Sequence, residues 1–247
     1  MTLTALKSAA VLAAALSLAG CQQQSDEAFG QRVRAYLLEH PEVLQEVSVA
    51  LQQKQQAELA KASSDAIEKH RAQLERDPRD FVANPDGKIT VVEFFDYNCA
   101  YCKIAAPEVV KLIQENPDVR FVFKEFAFQT PDSIEAAHIA LTPQAKAKGL
   151  ELHRLLMAQK PLNQAAIDRS LREAGVDPAA ARAAAKDPAI ERQLLDVRAL
   201  AQALHIDGTP AFVVGDKVIP GADIEALRAA IAAAKATDLK RPSGNPS

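Results

Sequence analysis

The sequence predicts an α/β fold: a sheet interrupted by a long helical insertion and preceded by an N-terminal helical arm. Three observations lead there. The runs Ile89–Phe95 and Val119–Phe128 are β-branched and aromatic and hold six of the nine Phe residues, the composition of buried strands. From Pro131 to about Leu204 no strand-like run occurs, and Ala, Leu, Glu, Arg and Gln dominate. Ala211–Val214 and Lys217–Ile219 then flank Gly215-Asp216, a hairpin turn signal, before a last Ala-rich helix.

The elements follow in order. Residues 1–20 carry one charge, Lys7, ahead of an apolar run from Ala9 to Ala19. A spanning helix takes about 20 residues, so this run has the length of an export-signal core. Residues 21–28 are polar and read as a tether. Phe29, Val33, Tyr36 and Leu37 mark one side of a short helix; after Pro41, Val43, Leu44, Val47 and Leu51 continue a stripe at helical spacing. Gln52–Leu74 favours helix with a poor apolar face, so a plain exposed helix and one strand of a weak coiled coil both fit. Residues 29–78 are therefore read as a helical segment through which, over 29–75, copies of the chain could associate. Asp77-Pro78 and Asn84-Pro85-Asp86-Gly87 are breakers, and the main domain is expected over 79–236. A helix is expected from Cys99 to about Glu115. Pro143, Lys160-Pro161, Asp177-Pro178 and Asp187-Pro188 divide the insertion into four or five helices. Asp223 opens the last helix, to about Lys235, and 237–247 has the composition of a disordered tail.

Composition excludes several classes. With 247 residues, 48% hydrophobic and 25% charged, the chain is neither collagenous nor disordered, and one or two domains are expected. A net charge of −3 gives no general attraction to nucleic acid.

The three cysteines carry the chemistry. Cys99 and Cys102 are spaced C-x-x-C, and Cys99 sits where a strand hands over to a helix. Exposed N–H groups and the positive helix end favour an anion there, and the thiolate is the reactive form of Cys. Cys102 lies three residues on, on the same helical face, placed to resolve a mixed disulfide. The spacers Ala100 and Tyr101 cap the nucleophile. Zinc would need four ligands, but no second C-x-x-C exists and the five His residues are scattered. A copper(I) site built from two thiolates and a structural pair stay open; a bridge closing so short a loop staples little. Gly208-Thr209-Pro210-Ala211 precedes a strand: an ordinary trans Pro is permitted there, whereas resemblance to thioredoxin folds implies a cis Pro210, with Thr209 offering backbone groups to an extended substrate. Glu93 and Lys124 each interrupt an apolar strand. Burying either alone is costly, so the two are expected to pair beneath Cys102 and relay its proton, unless one faces solvent at a strand end.

Strand, C-x-x-C helix, strand, helices, strand–turn–strand, helix is the thioredoxin-like order. Phe94-Phe95-Asp96-Tyr97-Asn98-Cys99-Ala100-Tyr101-Cys102-Lys103, with Glu93, Phe121–Phe126 and Gly208–Val213, resembles the DsbA-like thiol:disulfide oxidoreductases. Val33–Leu44 is similar to the N-terminal region of the suppressor-of-copper-sensitivity C proteins, some of which trimerise through a helical arm. The resemblance implies a thiol:disulfide oxidoreductase, oxidase or isomerase, that acts on cysteine-containing proteins outside the cytoplasm. It implies a membrane redox partner that resets the pair, and no cofactor or metal. A periplasmic copper(I)-binding protein using the same thiolates is the alternative. Leu18-Ala19-Gly20-Cys21 resembles a bacterial lipoprotein box, which implies acylation of Cys21 and attachment to the periplasmic side of a membrane. Gln22, rather than Asp, points to the outer membrane.

Overall fold

The computed structural model describes residues 27–240. The signal expected over 1–20, Cys21, most of the tether and residues 241–247 lie outside the described residues. By its contacts the chain divides into two units, at Glu58–Leu59.

In the first unit, a helix over 27–39 (α1) is followed by Pro41 and by the first half of α2 (Glu42–Arg76). Apolar side chains remain exposed here: Phe29 at 62%, Tyr36 at 55%, Leu44 at 57% and Val47 at 59%. Tyr36 packs on the His40 ring at 4.6 Å.

The second unit is built on a five-stranded sheet. Its strands are β1 (Phe81–Ala83), β2 (Ile89–Phe95), β3 (Val119–Glu125), β4 (Ala211–Val214) and β5 (Lys217–Pro220), in the spatial order β1-β3-β2-β4-β5. β2 and β3 are parallel, joined by α3 (Ala100–Glu115), and the other pairs are antiparallel. The insertion holds α4 (Pro131–Ala140), α5 (Pro143–Lys146), α6 (Gly149–Ala158), α7 (Gln164–Glu173), α8 (Pro178–Ala184) and α9 (Pro188–Ala203). That is more than the four or five helices expected, because α5 is a single turn after Pro143. α10 (Ile224–Lys240) follows β5 and continues past Lys235 into the expected tail.

Local chemistry explains these boundaries. Thr130 and Ser133 form a capping box at α4, and Asn163, Asp177 and Asp187 accept backbone N–H groups at the starts of α7, α8 and α9. Each such cap contributes about 1 kcal/mol. Proline stands in the first turn of α4, α5, α8 and α9, where its missing N–H is of no consequence. Gly215 has φ +60° in the β4–β5 turn, a conformation glycine adopts without steric cost. β1 was not expected: its three residues are too few for a periodic signal.

Because strand side chains alternate, β2 and β3 feed two cores. Val91, Phe95, Phe121 and Phe123 pack with α3 residues including Cys102, Val109 and Leu112, and with α6 and α10 residues. Val92, Phe94 and Val122 pack with Val197 and Leu200 of α9 and with Ile67 and Leu74 of α2. Ile67 and Leu74 are seven apart, on one helical face, and both are fully buried. The second half of α2 thus completes the core of the second unit, ahead of the breaker Asp77-Pro78 at which the main domain was expected to begin.

Leu74→Ala removes a fully buried side chain and should cost about 2–5 kcal/mol, read as a lowered midpoint in urea unfolding of the full chain.

Candidate active site

β2 ends at Phe95, and Asp96-Tyr97-Asn98 turn the chain into α3. Asp96 is fully buried and holds this turn. Its Oδ1 accepts the Asn98 N–H at 2.7 Å; its Oδ2 accepts Phe128 N–H at 2.9 Å, Gln129 N–H at 3.0 Å and the Ser133 hydroxyl at 3.0 Å. The carboxylate therefore ties the β2–α3 turn to the loop after β3. Asp96 was not singled out as a candidate site residue, although an Asp just after a strand is a turn signal.

Cys99 is the N-cap of α3. Its sulfur accepts the Cys102 N–H at 3.3 Å, and its thiol donates to the Thr209 carbonyl at 3.1 Å. A hydrogen bond from the Cys102 thiol brings the Cys99 pKa down to about 5; burial opposes this, while the Thr209 side chain and the Cys102 and Tyr101 N–H groups add to it. The Cys102 thiol moves the other way, because burial and its hydrogen bond to Cys99 both hold its proton. One thiolate and one thiol side by side make a nucleophile and a reserve. The spacers are exposed, Tyr101 at 65%. The Thr209–Pro210 bond is cis.

Glu93 lies on the α3 face of the sheet, opposite Phe123 and Phe212. It is buried with neither carboxyl oxygen partnered, and burial, with the charge of Cys99, raises its pKa to about 8. A buried carboxyl beside two sulfurs can take up and return a thiol proton.

The expected Glu93–Lys124 pair does not form. Lys124 is in register with Phe94, one residue along from Glu93. With a side-chain period of two, that offset puts the two groups on opposite faces. The Lys124 ammonium instead donates to Asp80 Oδ2 and, at 2.7 Å, to the Gln73 carbonyl in the last turns of α2. Asp80 also accepts from Gln193 Nε2 of α9 at 3.1 Å. This buried ion pair joins α2, β3 and α9 and has no access to the cysteines.

Beside the cysteines, Lys103, Ala106, Pro107, Val110, Arg154 and Met157 line a groove of about 370 Å³ between α3 and α6. Ile104 stands 63% exposed next to it in sequence. Among the described residues, no three His, Cys, Asp or Glu side chains converge as a metal site.

Two outcomes follow from the opposite faces. Alkylation of the reduced protein should show Cys99 ionising near pH 5 rather than in the ordinary thiol range, and Lys124→Ala should leave that midpoint in place. The same variant strands Asp80 as a buried charge and should cost about 3–5 kcal/mol in denaturant unfolding. For Glu93 the sign is reversed from the usual carboxylate. The unfolded chain ionises it near 4.5 while the folded chain holds the proton to about 8, so the folded state binds more protons in that window. Its contribution is full below about pH 4.5 and is lost as pH rises through 8. Glu93→Gln should flatten the stability–pH curve between those values.

A family model described as the DSBA-like thioredoxin domain matches residues 90–232, and a model for the copper resistance protein ScsC N-terminal domain matches 27–58. Among solved structures, BcfH of Salmonella enterica Typhimurium is 34% identical with a TM-score of 0.72, covering 86% of this chain and 96% of that one. A thioredoxin-like oxidoreductase from Silicibacter pomeroyi DSS-3 is 37% identical with a TM-score of 0.63, covering 67% and 97%. A linker-deleted mutant of Proteus mirabilis ScsC is 27% identical with a TM-score of 0.66, covering 83% and 92%. The chain spans about a quarter of the length of the curated relatives it matches, such as a sodium/proton antiporter of Salinispora tropica, 31% identical over 67% of this chain and 26% of the antiporter. Among the described residues no helix is long and apolar enough to cross a membrane. The sheet order, the parallel β2–α3–β3 unit with its cysteines at the helix start, and the match over 90–232 agree: the chain belongs to the DSBA-like thioredoxin domain family.

Proposed function

We propose that this protein exchanges disulfides with cysteine-containing proteins outside the cytoplasm, through Cys99 and Cys102. The observation that carries the proposal is Cys99 at the tip of α3, its sulfur held between the Cys102 N–H and the Thr209 carbonyl. The Cys99 thiolate attacks one sulfur of a substrate disulfide, forming a mixed disulfide and releasing a substrate thiolate. Cys102 then passes its proton to the carboxylate form of Glu93 and attacks the Cys99 sulfur. The second substrate thiolate leaves, the substrate has gained two electrons, and the Cys99–Cys102 pair is oxidised. Run in reverse, the same steps oxidise a substrate dithiol. Thr209 and Pro210 hold the substrate backbone, and the exposed Tyr101 and Ile104 beside the α3–α6 groove supply apolar contact. Lys124 supports the fold and takes no part in the proton transfer.

Copper(I) capture by two thiolates is disfavoured, because ionising Cys102 beside the Cys99 thiolate puts two like charges in a site that already resists the second.

A redox partner in the membrane would set the direction of exchange. The exposed apolar residues of 27–58, together with the ScsC N-terminal match, support self-association through 29–75, which favours isomerisation. A solved relative from Salmonella enterica serovar Typhimurium is described as periplasmic, and the resemblance of Leu18-Ala19-Gly20-Cys21 to a lipoprotein box supports attachment to the periplasmic face of the outer membrane. The domain limits follow the same reading: signal 1–20, tether 21–28, helical segment 29–78, catalytic domain 79–236.

Cys102→Ala removes the resolving thiol, so substrates should accumulate as mixed disulfides on Cys99, visible on non-reducing gels and absent from the Cys99→Ser, Cys102→Ala double variant. Adducts present in both would sink the assignment.

A further inference from the structure

The layer behind the cysteines holds more buried polar groups than disulfide exchange uses. Tyr97, Glu125 and His153 are all buried. Tyr97 Oη donates to Glu125 Oε1 at 3.0 Å. Glu125 Oε2 and both ring nitrogens of His153 have no protein partner. The imidazole is wedged among Phe95 at 4.8 Å, Phe123 at 4.9 Å and Tyr97 at 5.7 Å. Tyr97, Glu125 and His153 line one small cavity, closed in by Phe81, Phe95 and Phe123. It offers about 10 Å³ to the centre of a water molecule, room for about one water.

We infer that this cavity is an internal water site, in which a single water bridges Glu125 and His153, and that the Glu125 carboxyl keeps its proton there. The hydrogen bonds then close. Tyr97 donates to Oε1, so the carboxyl proton sits on Oε2 and goes to the water. The water donates to the bare nitrogen of a neutral imidazole. The remaining ring N–H meets aromatic faces, with Phe95 at an interplanar angle of 82°, an arrangement that suits an N–H···π contact. Burial keeps His153 neutral, its pKa near 3. Burial is the main force that holds the proton on Glu125; the carboxyls of Asp96, Asp80 and Glu93 add to it, and the hydrogen bond from Tyr97 opposes them. The Lys124 ammonium, next in sequence to Glu125, is spent on Asp80 across the sheet.

The consequence bears on the cysteines and rests on the disulfide-exchange reading. Phe95 is opposite Glu125 as Glu93 is opposite Phe123, so the two glutamates share a face, two positions apart along the ladder. A second carboxylate there would hold the proton on Glu93. A neutral Glu125 leaves Glu93 free to ionise when it returns the proton to Cys102. Glu125 is thus a positioning residue for the exchange.

The water site is tested on the full, reduced wild-type chain by a high-resolution crystal structure and by magnetisation transfer from water to the His153 ring. One ordered water within hydrogen-bond reach of Glu125 Oε2 and a His153 nitrogen is expected; a dry cavity, or a direct Glu125–His153 hydrogen bond, overturns it. The proton is tested by infrared spectroscopy above pH 8, where Glu93 is ionised. A protonated-carboxyl band should persist there and vanish in Glu125→Gln, while the Glu93 midpoint stays where it is in the wild type. An absent wild-type band overturns the neutral carboxyl whether or not the variant folds, and so does a lower Glu93 midpoint in Glu125→Gln. If Cys99 titrates as an ordinary thiol while the water and the band are present, the water site stands and the disulfide-exchange reading fails.

Discussion

A sulfur that serves as the N-cap of a helix is the constraint around which this domain is arranged. The first turn of α3 presents N–H groups with no partner inside the helix, and Cys99 supplies the acceptor where Ser or Asp usually does. A thiol is a weak acceptor and a thiolate a strong one, so the helix start selects the ionised form. The selection requires the chain to leave β2 at one angle, which Asp96 secures with four hydrogen bonds. It also requires a cover over the sulfur, which the Thr209 loop provides from the far side of the insertion.

The pleat of the sheet separates reactivity from support. Residues of β2 and β3 that point toward α3 surround the cysteines, and there Glu93 and Glu125 remain without cations. Residues that point the other way meet α2 and α9, and there Lys124, Asp80 and Gln193 satisfy one another. A single step along either strand would exchange these roles. The unpaired acids therefore share a face with the cysteines, while the paired charges lie on the other face. Burial without a partner is costly, and on the cysteine face it raises the pKa of Glu93 to about 8.

α2 belongs to both halves of the chain. Its second half closes a core with Ile67 and Leu74, fixed by the Lys124 bond to the Gln73 carbonyl. Its first half, with 27–39, keeps apolar side chains in water. One helix thus joins a domain that satisfies its own core to a segment that does not.

The sequence by itself determined the architecture and the place of the C-x-x-C pair within it. Thioredoxin-like order, C-x-x-C at a strand–helix junction, Thr209-Pro210 before a strand, the Gly215-Asp216 hairpin and most helix starts are all local signals: composition, periodicity and capping residues act over a few positions. Only tertiary structure decided the rest. Glu93 and Lys124 looked like partners because both are charges in apolar strands, yet their pairing depends on interstrand register, which no single strand encodes. The burial of Ile67 and Leu74 depends on what the sheet presents to an otherwise polar helix. The Tyr97–Glu125–His153 cluster is drawn from three elements far apart in sequence, and Asp96 collects donors from a loop some thirty residues away. Local propensity is written residue by residue, whereas the partner of a buried polar group is chosen by whichever elements the fold brings to the same face.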